Sequence, residues 1–469
     1  MLWNILAYEP AGYWKIAENQ WYSNQTVVHP VGLGLLITAC LGILILPRRG
    51  ALACALLLPC FVSDAQRIAI FGLDFSFTRI LIITMLVRVL LRGEYRSFRL
   101  QRLDKLVLIW IVCKTMAYTL QNGNSSAFVT MLGQSIDHVG AYFALRFVLK
   151  DWGDICAIAV FFAVVASVVS FFFVYECSTR RNLFSIFGGV PEITKMRQGR
   201  LRCQGAFAHP IVAGCFWAAL LPWFYGLMVF NRRYRGVAVV GAGASCVIIV
   251  TCSSSTPVFG ALTACIGIGF WYIRALTYPA VCALFSLLFI LHLSMKQPVW
   301  HLLARVSAVG GSTGYHRFNL INQAVNRFNE WAVVGTRSTA HWGLQLFDVT
   351  NQFILEGVRG GFITMILFTW MLAEGFRLVG RITPLYRGDP RKQKMAWCLG
   401  VCLLVHTANF FGISYFGQIT TLYFMSLAAI PSMYTCAKRE SMMQMAQQHV
   451  YVPDSRYQQE TTEVGSVGY

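Results

Sequence analysis

Long apolar stretches recur along the whole chain, and they limit its possible folds more than any other feature. A helix needs about 20 apolar residues to cross the ~30 Å hydrocarbon core of a bilayer. Hydrophobic residues fill 56% of the 469 positions and charged residues only 13%, whereas soluble domains carry about 25% charged residues. The composition therefore excludes an ordinary cytosolic enzyme, a disordered scaffold and a secreted disulfide-framework domain. We predict an all-α polytopic membrane protein, a bundle of about 12–13 transmembrane helices. The predicted spans are residues 31–47, 51–65, 77–91, 106–121, 127–148, 155–174, 211–230, 237–252, 257–273, 278–293, 361–380, 395–411 and 417–436.

Basic residues concentrate at alternate junctions between these spans, which sets the expected orientation. Cytoplasmic loops carry an excess of Lys and Arg, so the basic junctions are predicted to be cytoplasmic and the N-terminus to lie outside. Among the short outer connections only Arg67 opposes this pattern. The basic junctions are Arg48–Arg49, Arg92–Lys105, Arg146–Lys150, Arg232–Arg235, Arg274, Arg381–Lys394 and Lys438–Arg439.

The spans and loops divide the chain into seven regions. They are an interfacial N-terminal segment (1–30), N-terminal transmembrane helices (31–174), a first basic outer loop (175–210), central transmembrane helices (211–293), a large outer loop of short helices (294–360), C-terminal transmembrane helices (361–436) and a disordered cytoplasmic tail (437–469).

Both long outer loops are basic, although orientation does not require it. The net charge is +19, and we assign the excess to cytoplasmic junctions and to an anionic ligand, with no nucleic-acid partner. Arg197, Arg200 and Arg202 lie within six residues, with Gly199 between them. Guanidinium groups bind phosphate oxygens through a planar fork, and Pro210 starts a helix whose N-terminus favours anions. This loop is predicted to clamp a pyrophosphate; the structural alternative is arginines that snorkel to lipid headgroups.

The second long loop gathers histidines, carboxylates, an amide and arginines before the next span. Histidine and aspartate can act as general bases, but neighbouring positions in sequence do not establish a hydrogen-bonded base. Asp348 and Asn351 share a helix face if this stretch is helical, and their alternative role is helix capping. The candidates here are His316, Arg317, Arg337, His341, Asp348 and Asn351.

Few charges fall inside the predicted spans. Lys114 and Asp137 lie in neighbouring spans, and we predict that they form a buried structural ion pair. Most of the fifteen cysteines sit in apolar runs and are read as small buried hydrophobic residues. Cys177 and Cys203 fall in one polar loop and can pair, although free thiols are the preferred interpretation.

Two short motifs resemble those of the O-antigen ligase and O-antigen polymerase family. The first is Arg202-Cys-Gln-Gly-Ala-Phe-Ala-His209-Pro210, and the second is Thr350-Asn351-Gln-Phe353-Ile354 followed by Gly361. The resemblance covers most of the chain, including its many spans and its large late loop. This chain has Thr350 where the family commonly has histidine. It also has Ser253-Ser-Ser-Thr256-Pro257 where the family often has Ser-Arg.

The resemblance implies a GT-C-like fold in the bacterial inner membrane, with the active loops in the periplasm. The implied reaction transfers a glycan from undecaprenyl pyrophosphate to a hydroxyl on a glycan or a lipid A-core type acceptor. Membrane lipids and other polysaccharide export proteins are expected partners. Arg200 and Arg202, helped by Arg317, are expected to bind the pyrophosphate, with Arg197, His316 and Arg337 as further substrate contacts. His341 or Asp348 would accept the proton, while His209 and Asn351 would orient substrate.

Arginines can neutralise a pyrophosphate leaving group without a metal, so we expect no metal and no cofactor. Asp64 and Asp74, in the second outer connection, are the residues that could overturn this expectation. Two other classes of protein remain open. A flippase or transporter would usually carry charges near the midplane of its spans. A non-catalytic partner in an export machine would not need the arginine cluster.

Overall fold

The computed structural model describes residues 25–305 and 314–450, which are mostly helical. The predicted interfacial segment therefore falls largely outside the described residues, since its first 24 positions are not among them. The helices are α1 Pro30–Ile45, α2 Arg48–Phe61, α3 Phe77–Leu91, α4 Arg102–Asn122, α5 Ser125–Ser135, α6 Ala141–Val148, α7 Trp152–Thr179, α8 Pro210–Phe230, α9 Arg235–Thr251, α10 Ser255–Gly269, α11 Thr277–Ser294, α12 Leu302–Arg305, α13 Gly314–Asn326, α14 Phe328–Trp331, α15 Gln352–Leu385, α16 Pro390–Phe410 and α17 Gln418–Val450. The strands are β1 Arg67–Ile70, β2 Leu73–Ser76, β3 Met196–Arg197 and β4 Arg200–Leu201.

Every predicted span coincides with helical structure. The span 127–148 comprises α5 and α6, joined by a π-helical turn at Ile136–Gly140. In the described part of the chain, five helical segments are long and apolar enough to cross a membrane. They are Trp152–Thr179, Pro210–Phe230, Arg232–Thr251, Ser255–Ser294 and Gln352–Leu385. The chain is therefore a helical membrane protein, as its composition predicts.

Helix α8 lies at the centre of the bundle, in contact with α7, α9, α10 and α16. Its aromatic residues Trp217, Trp223 and Phe224 are completely buried. Helix α11 is the opposite case, because none of its residues is buried and its Leu, Phe and Ile side chains point outwards all round. The apolar core is thus concentrated around α8, while α11 stands at the periphery.

Two of the basic junctions predicted to share one side meet at one end of the bundle. Arg48 and Arg49 bind Asp151 and Asp154, with the Arg48 Nη2 to Asp151 Oδ2 distance at 2.7 Å. Asp151 also caps α7 by accepting a hydrogen bond from the backbone N–H of Asp154. These contacts tie the junction between α1 and α2 to the start of α7.

The connections predicted on the other side meet at the opposite end. Gln66, before β1, donates a hydrogen bond to the carbonyl of Phe187 in the first long loop. Gln418, at the start of α17, donates to the carbonyl of Ala206 in the same loop. Arg337, in the second long loop, donates to the carbonyl of Gln121 at the end of α4. These contacts anchor each long loop to connections or helix ends on this side of the bundle.

Three local predictions need correction. Lys114 pairs with Glu356 at 2.9 Å, and Asp137 instead pairs with Arg79 at 2.6 Å. Residues 437–450 of the predicted disordered tail continue α17, because Ala, Lys, Glu, Met and Gln favour helix and the stretch has no Gly or Pro. Residues 451–469 lie outside the described residues. Helix α15 begins nine residues before the predicted span at 361 and kinks at Gly361, whose φ is 77°.

Candidate functional site

The first long loop presents two of its arginines on a tight hairpin. Arg197 and Arg200 are directly paired across β3 and β4. The turn residues Gln198 and Gly199 have φ values of 50° and 73°, the left-handed pair typical of two-residue hairpin turns. Arg197 and Arg200 are both exposed on this hairpin.

The segment that follows is anchored by buried hydrogen bonds. The carboxylate of Glu176, at the end of α7, accepts hydrogen bonds from the backbone N–H groups of Gln204 and Gly205 at 3.1 and 2.9 Å. Gly205 has a φ of +57°, and a Cβ there would lie 2.5 Å from the Phe173 ring. Gly205 is therefore required for packing against α7. Arg202 lies two residues before this anchor, and its backbone N–H donates a hydrogen bond to the Lys195 carbonyl at 3.1 Å.

Arg202 belongs to the first long loop and Arg317 to the second, and both lie close enough to Arg197 to be repelled by its charge. Burial, and then repulsion from Arg197, lowers the pKa of Arg202. Burial also lowers the pKa of Arg317, and Arg197 again contributes by repulsion. We call Lys195, Arg197, Arg202 and Arg317 the cationic cluster.

The hydrogen-bond partners of Arg317 are neutral. Arg317 donates from Nη2 to the Thr256 hydroxyl at 2.9 Å and to the Gly412 carbonyl at 3.2 Å. In residues 25–305 and 314–450, no carboxylate forms an ion pair with Arg202 or Arg317. The Nε atoms of both side chains are buried without a hydrogen-bond partner. A partly buried cation without a counter-charge is costly, so this arrangement favours an anionic ligand.

His209 lies beside the cluster and stays neutral. Its Nδ1 accepts a hydrogen bond from the backbone N–H of Ile211 at 3.2 Å and so caps α8. Burial, with repulsion from Arg202, Lys195 and Arg197, lowers its pKa to about 3. His209 thus begins α8 at the cluster and leaves the positive charge to the arginines and Lys195.

A cavity of about 230 Å³ lies near the cluster. Its polar lining combines residues from three of the outer connections, from α3, α4, α5, α15 and α17, and from the π-helical turn. The charged lining residues are Asp64, Arg67, Asp74, Arg79, Lys114, Asp137, Asp348, Glu356 and Arg359.

Two connections join the cluster to this cavity. The stretch from Gly412 to Gly417 accepts the Arg317 hydrogen bond at one end and lines the cavity from Ser414 onwards. His316, next to Arg317, contacts the backbone carbonyl of Asp348 through Nε2 at 3.1 Å. The cluster and the cavity are therefore neighbouring parts of one site.

Burial raises the pKa of three acidic residues of the cavity, which are Asp64, Asp74 and Asp348. Burial raises the pKa of Asp348, partly offset by His316. Burial raises the pKa of Asp64 to about 6, with Arg67 opposing and Asp137 reinforcing the shift. Both groups can therefore exchange a proton nearer to neutral pH than an exposed aspartate.

The remaining candidates of the second loop have structural partners. His341 contacts Glu330 at 2.8 Å, is half exposed and does not line the cavity. Arg337 donates to the carbonyls of Gln121 and Asn122 at the end of α4. Asn351 accepts a hydrogen bond from the backbone N–H of Ile354 and caps α15. These three residues hold the loop in place, whereas Asp348 lines the cavity.

Sequence reasoning missed several residues of this site. Glu356 accepts hydrogen bonds from Lys114, Trp110 and Gln352 inside the bundle. Arg79 and Asp137 form a second ion pair at the cavity wall. For Arg79 and Asp137 the usable signal is an ionisable residue within a predicted span, which is costly unless it serves a site or has a partner. Glu356 falls in the predicted outer loop and gives no such signal.

Metal ligands and known relatives give no further assignment. The described residues contain no group of three or more His, Cys, Asp or Glu side chains that could hold a metal ion. No protein-family model matches the chain, and a search of curated proteins gives no match either.

Proposed function

We propose that this protein is a membrane glycosyltransferase that moves a glycan from undecaprenyl pyrophosphate to an acceptor hydroxyl. The reaction would take place on the periplasmic side of the bacterial inner membrane, as in the ligase and polymerase family that the sequence resembles. The observation that carries the proposal is the cationic cluster, in which Arg202 and Arg317 from two long loops lie partly buried without carboxylate partners.

A pyrophosphate fits this cluster chemically. It carries several negative oxygens, and arginine is the side chain best suited to bind them in a partly desolvated site. When the glycosyl bond breaks, negative charge develops on the leaving oxygen, and fixed guanidinium groups stabilise that charge more than the ground state. Thr256 and the Gly412 carbonyl hold Arg317 in position beforehand, so little reorganisation is needed.

Asp348 is the preferred group to receive the acceptor's proton. It lines the cavity beside the cluster, and its raised pKa suits proton exchange. His341 was the other candidate, but its contact with Glu330 and its exposure place it on the loop surface. Arg200 contributes long-range positive charge from the exposed hairpin.

The test is a transfer assay with purified full-length protein in detergent. The donor is the undecaprenyl-pyrophosphate-linked glycan extracted from cells that lack this protein, and the product is read as extended or transferred glycan. Arg202→Gln and Arg317→Gln should each lower turnover about 10²–10³-fold. Arg232→Gln, an exposed arginine at the opposite end of the bundle, is the matched control.

Normal turnover in both cluster variants would refute the proposal. The assay is repeated with a chelator present, and full activity is expected because arginines supply the positive charge. Collapse of activity in chelator would require a metal and contradict the proposed chemistry.

A flippase for lipid-linked oligosaccharides is the second candidate, and the charged cavity favours it. Lys114–Glu356 and Arg79–Asp137 put ionisable groups between helices, which transporters commonly do. Both pairs line the cavity at the end where the long loops meet, and this position suits a reaction at the membrane surface better. A flippase would leave the donor chemically unchanged in the detergent assay.

A further inference from the structure

We propose that the cavity beside the cationic cluster binds one uncharged, polyhydroxylated sugar residue, which is the acceptor of the transferred glycan. The role as acceptor rests on the proposed function, whereas the binding of a sugar does not. The proposal stands on unpartnered polar atoms, on the charge balance of the cavity wall and on its aromatic lining.

Four residues of the cavity wall carry buried polar atoms that lack a hydrogen-bond partner. These atoms are Asp64 Oδ2, Asp74 Oδ1, His138 Nδ1 and the Tyr423 hydroxyl. Buried polar groups are normally satisfied, so each unsatisfied group calls for an explanation. Two carboxylate oxygens offer acceptors for hydroxyl hydrogens, and the Tyr423 hydroxyl can donate or accept. A ligand with several hydroxyl groups on a small ring would satisfy them together.

The charge balance of the wall argues against an ionic ligand. Four basic and five acidic side chains line the cavity, and most of them are already paired. Arg67 binds Asp74 at 2.5 Å, Arg79 binds Asp137 at 2.6 Å, and Lys114 binds Glu356 at 2.9 Å. The cationic cluster has no such pairing at Arg202 and Arg317. The two neighbouring parts of the site therefore favour different ligands, one anionic and one neutral.

Aromatic rings supply the apolar part of the wall. They include Trp110, Phe368, Tyr415, Phe416 and Phe424. A site with apolar and aromatic walls and a few placed polar groups is typical of small-molecule recognition. At about 230 Å³ the cavity is slightly smaller than common ligand pockets of about 300–1,000 Å³, which favours a single sugar residue over a longer glycan.

The position of the cavity suits an acceptor. The stretch from Gly412 to Gly417 and the contact of His316 with Asp348 connect it directly to the residues that surround Arg317. A sugar seated in the cavity would present a hydroxyl towards a glycan whose pyrophosphate is held by the cluster. Asp348 lies at this boundary and can take the proton as the new glycosidic bond forms and the lipid pyrophosphate leaves.

The experiment measures binding of two glycan probes to the purified full-length protein by isothermal titration calorimetry. One probe is the free glycan released by mild acid from the donor lipid, and the other is the delipidated core oligosaccharide of the same cells. Inorganic pyrophosphate is titrated separately to report on the cationic cluster. The two glycan probes distinguish a polymerase, which would bind the first, from a ligase, which would bind the second.

Asp64→Asn should weaken binding of the glycan probe about tenfold or more, because it removes a charged acceptor, and leave pyrophosphate affinity unchanged. Arg202→Gln should have the reverse effect. Tyr423→Phe removes only the unpartnered hydroxyl. It replaces Asp64→Asn in the binding test if that variant folds poorly. Glu192→Gln, an exposed carboxylate in the first long loop, is the matched control.

The outcomes separate this inference from the proposed function. If neither glycan binds, if both cavity variants bind like wild type, or if pyrophosphate competes with the glycan, the sugar site is overturned. If a glycan binds but pyrophosphate does not, the sugar site stands and the proposed donor chemistry fails.

Discussion

The buried pair of Lys114 and Glu356 gives the most direct test of how the helices are arranged. Lys114 Nζ lies 2.9 Å from Glu356 Oε1, and the two side chains are only 3% and 1% exposed. Glu356 also accepts hydrogen bonds from Trp110 Nε1 at 3.0 Å and Gln352 Nε2 at 2.7 Å. The pair therefore holds α4 against α15, and all the groups that bind Glu356 are buried between the helices.

Removing one partner leaves the other charge buried without its counter-charge, so each single substitution should lower the free energy of unfolding. Breaking a buried ion pair costs about 3–5 kcal/mol, whereas replacing both members by uncharged residues of similar size is often neutral. Lys114→Met and Glu356→Gln should each lower the free energy of unfolding by about 3 kcal/mol. The double variant should cost much less than their sum, with a coupling energy of about 2 kcal/mol.

The assay is reversible denaturation of the purified protein in mixed micelles, analysed as a double-mutant cycle. The comparison cycle uses Lys114→Met with Asp137→Asn, the pairing that the sequence alone suggests, and its coupling energy should be below about 0.5 kcal/mol. A larger coupling energy for Lys114 with Asp137 than with Glu356 would refute the helix arrangement described above.

Two further predictions concern the site. Gly205→Ala should abolish turnover while the helices still fold, because its φ of +57° and the 2.5 Å approach to Phe173 force Arg202 out of place. Gly199→Ala, with a φ of +73° and no atom within 4 Å, should retain most turnover, and equal losses would contradict this account. Burial raises the pKa of Asp64 to about 6. Binding of the glycan probe should therefore strengthen as the pH rises through about 6, because the ionised Asp64 carboxylate accepts hydroxyl hydrogens more strongly. Asp64→Asn should flatten the calorimetric pH profile, and an unchanged profile would assign the titration to another group.

The sequence predicts the helices well because their cause is local. Each apolar run satisfies its own backbone hydrogen bonds, so hydropathy and the basic junctions locate the helices without knowledge of their neighbours. The two β-hairpins were not predicted, since Arg67–Ile70 and Leu73–Ser76 are short and lie in a connection. The helical extension of α17 is hard to predict because its polar composition resembles that of a disordered tail, although its residues favour helix.

The site is only partly predictable for a different reason. Arg197 and Arg202 stand out because they are close in sequence, and Arg317 was proposed as their helper. The partner of Lys114 lies 242 positions away, so only the packing of α4 on α15 identifies it. His341 and Asp348 look equally suitable in the sequence, and only their neighbours separate them. Side-chain chemistry thus suggests candidates, while long-range packing selects among them.

Helix α11 differs from the central helices in the exposure of its apolar side chains. None of its residues is buried, and Leu284, Phe285, Phe289 and Ile290 are each more than half exposed. Within residues 25–305 and 314–450 no helix covers these side chains, an exposure that suits contact with lipid acyl chains. The identity of each residue along this helix therefore matters less than its hydrophobicity.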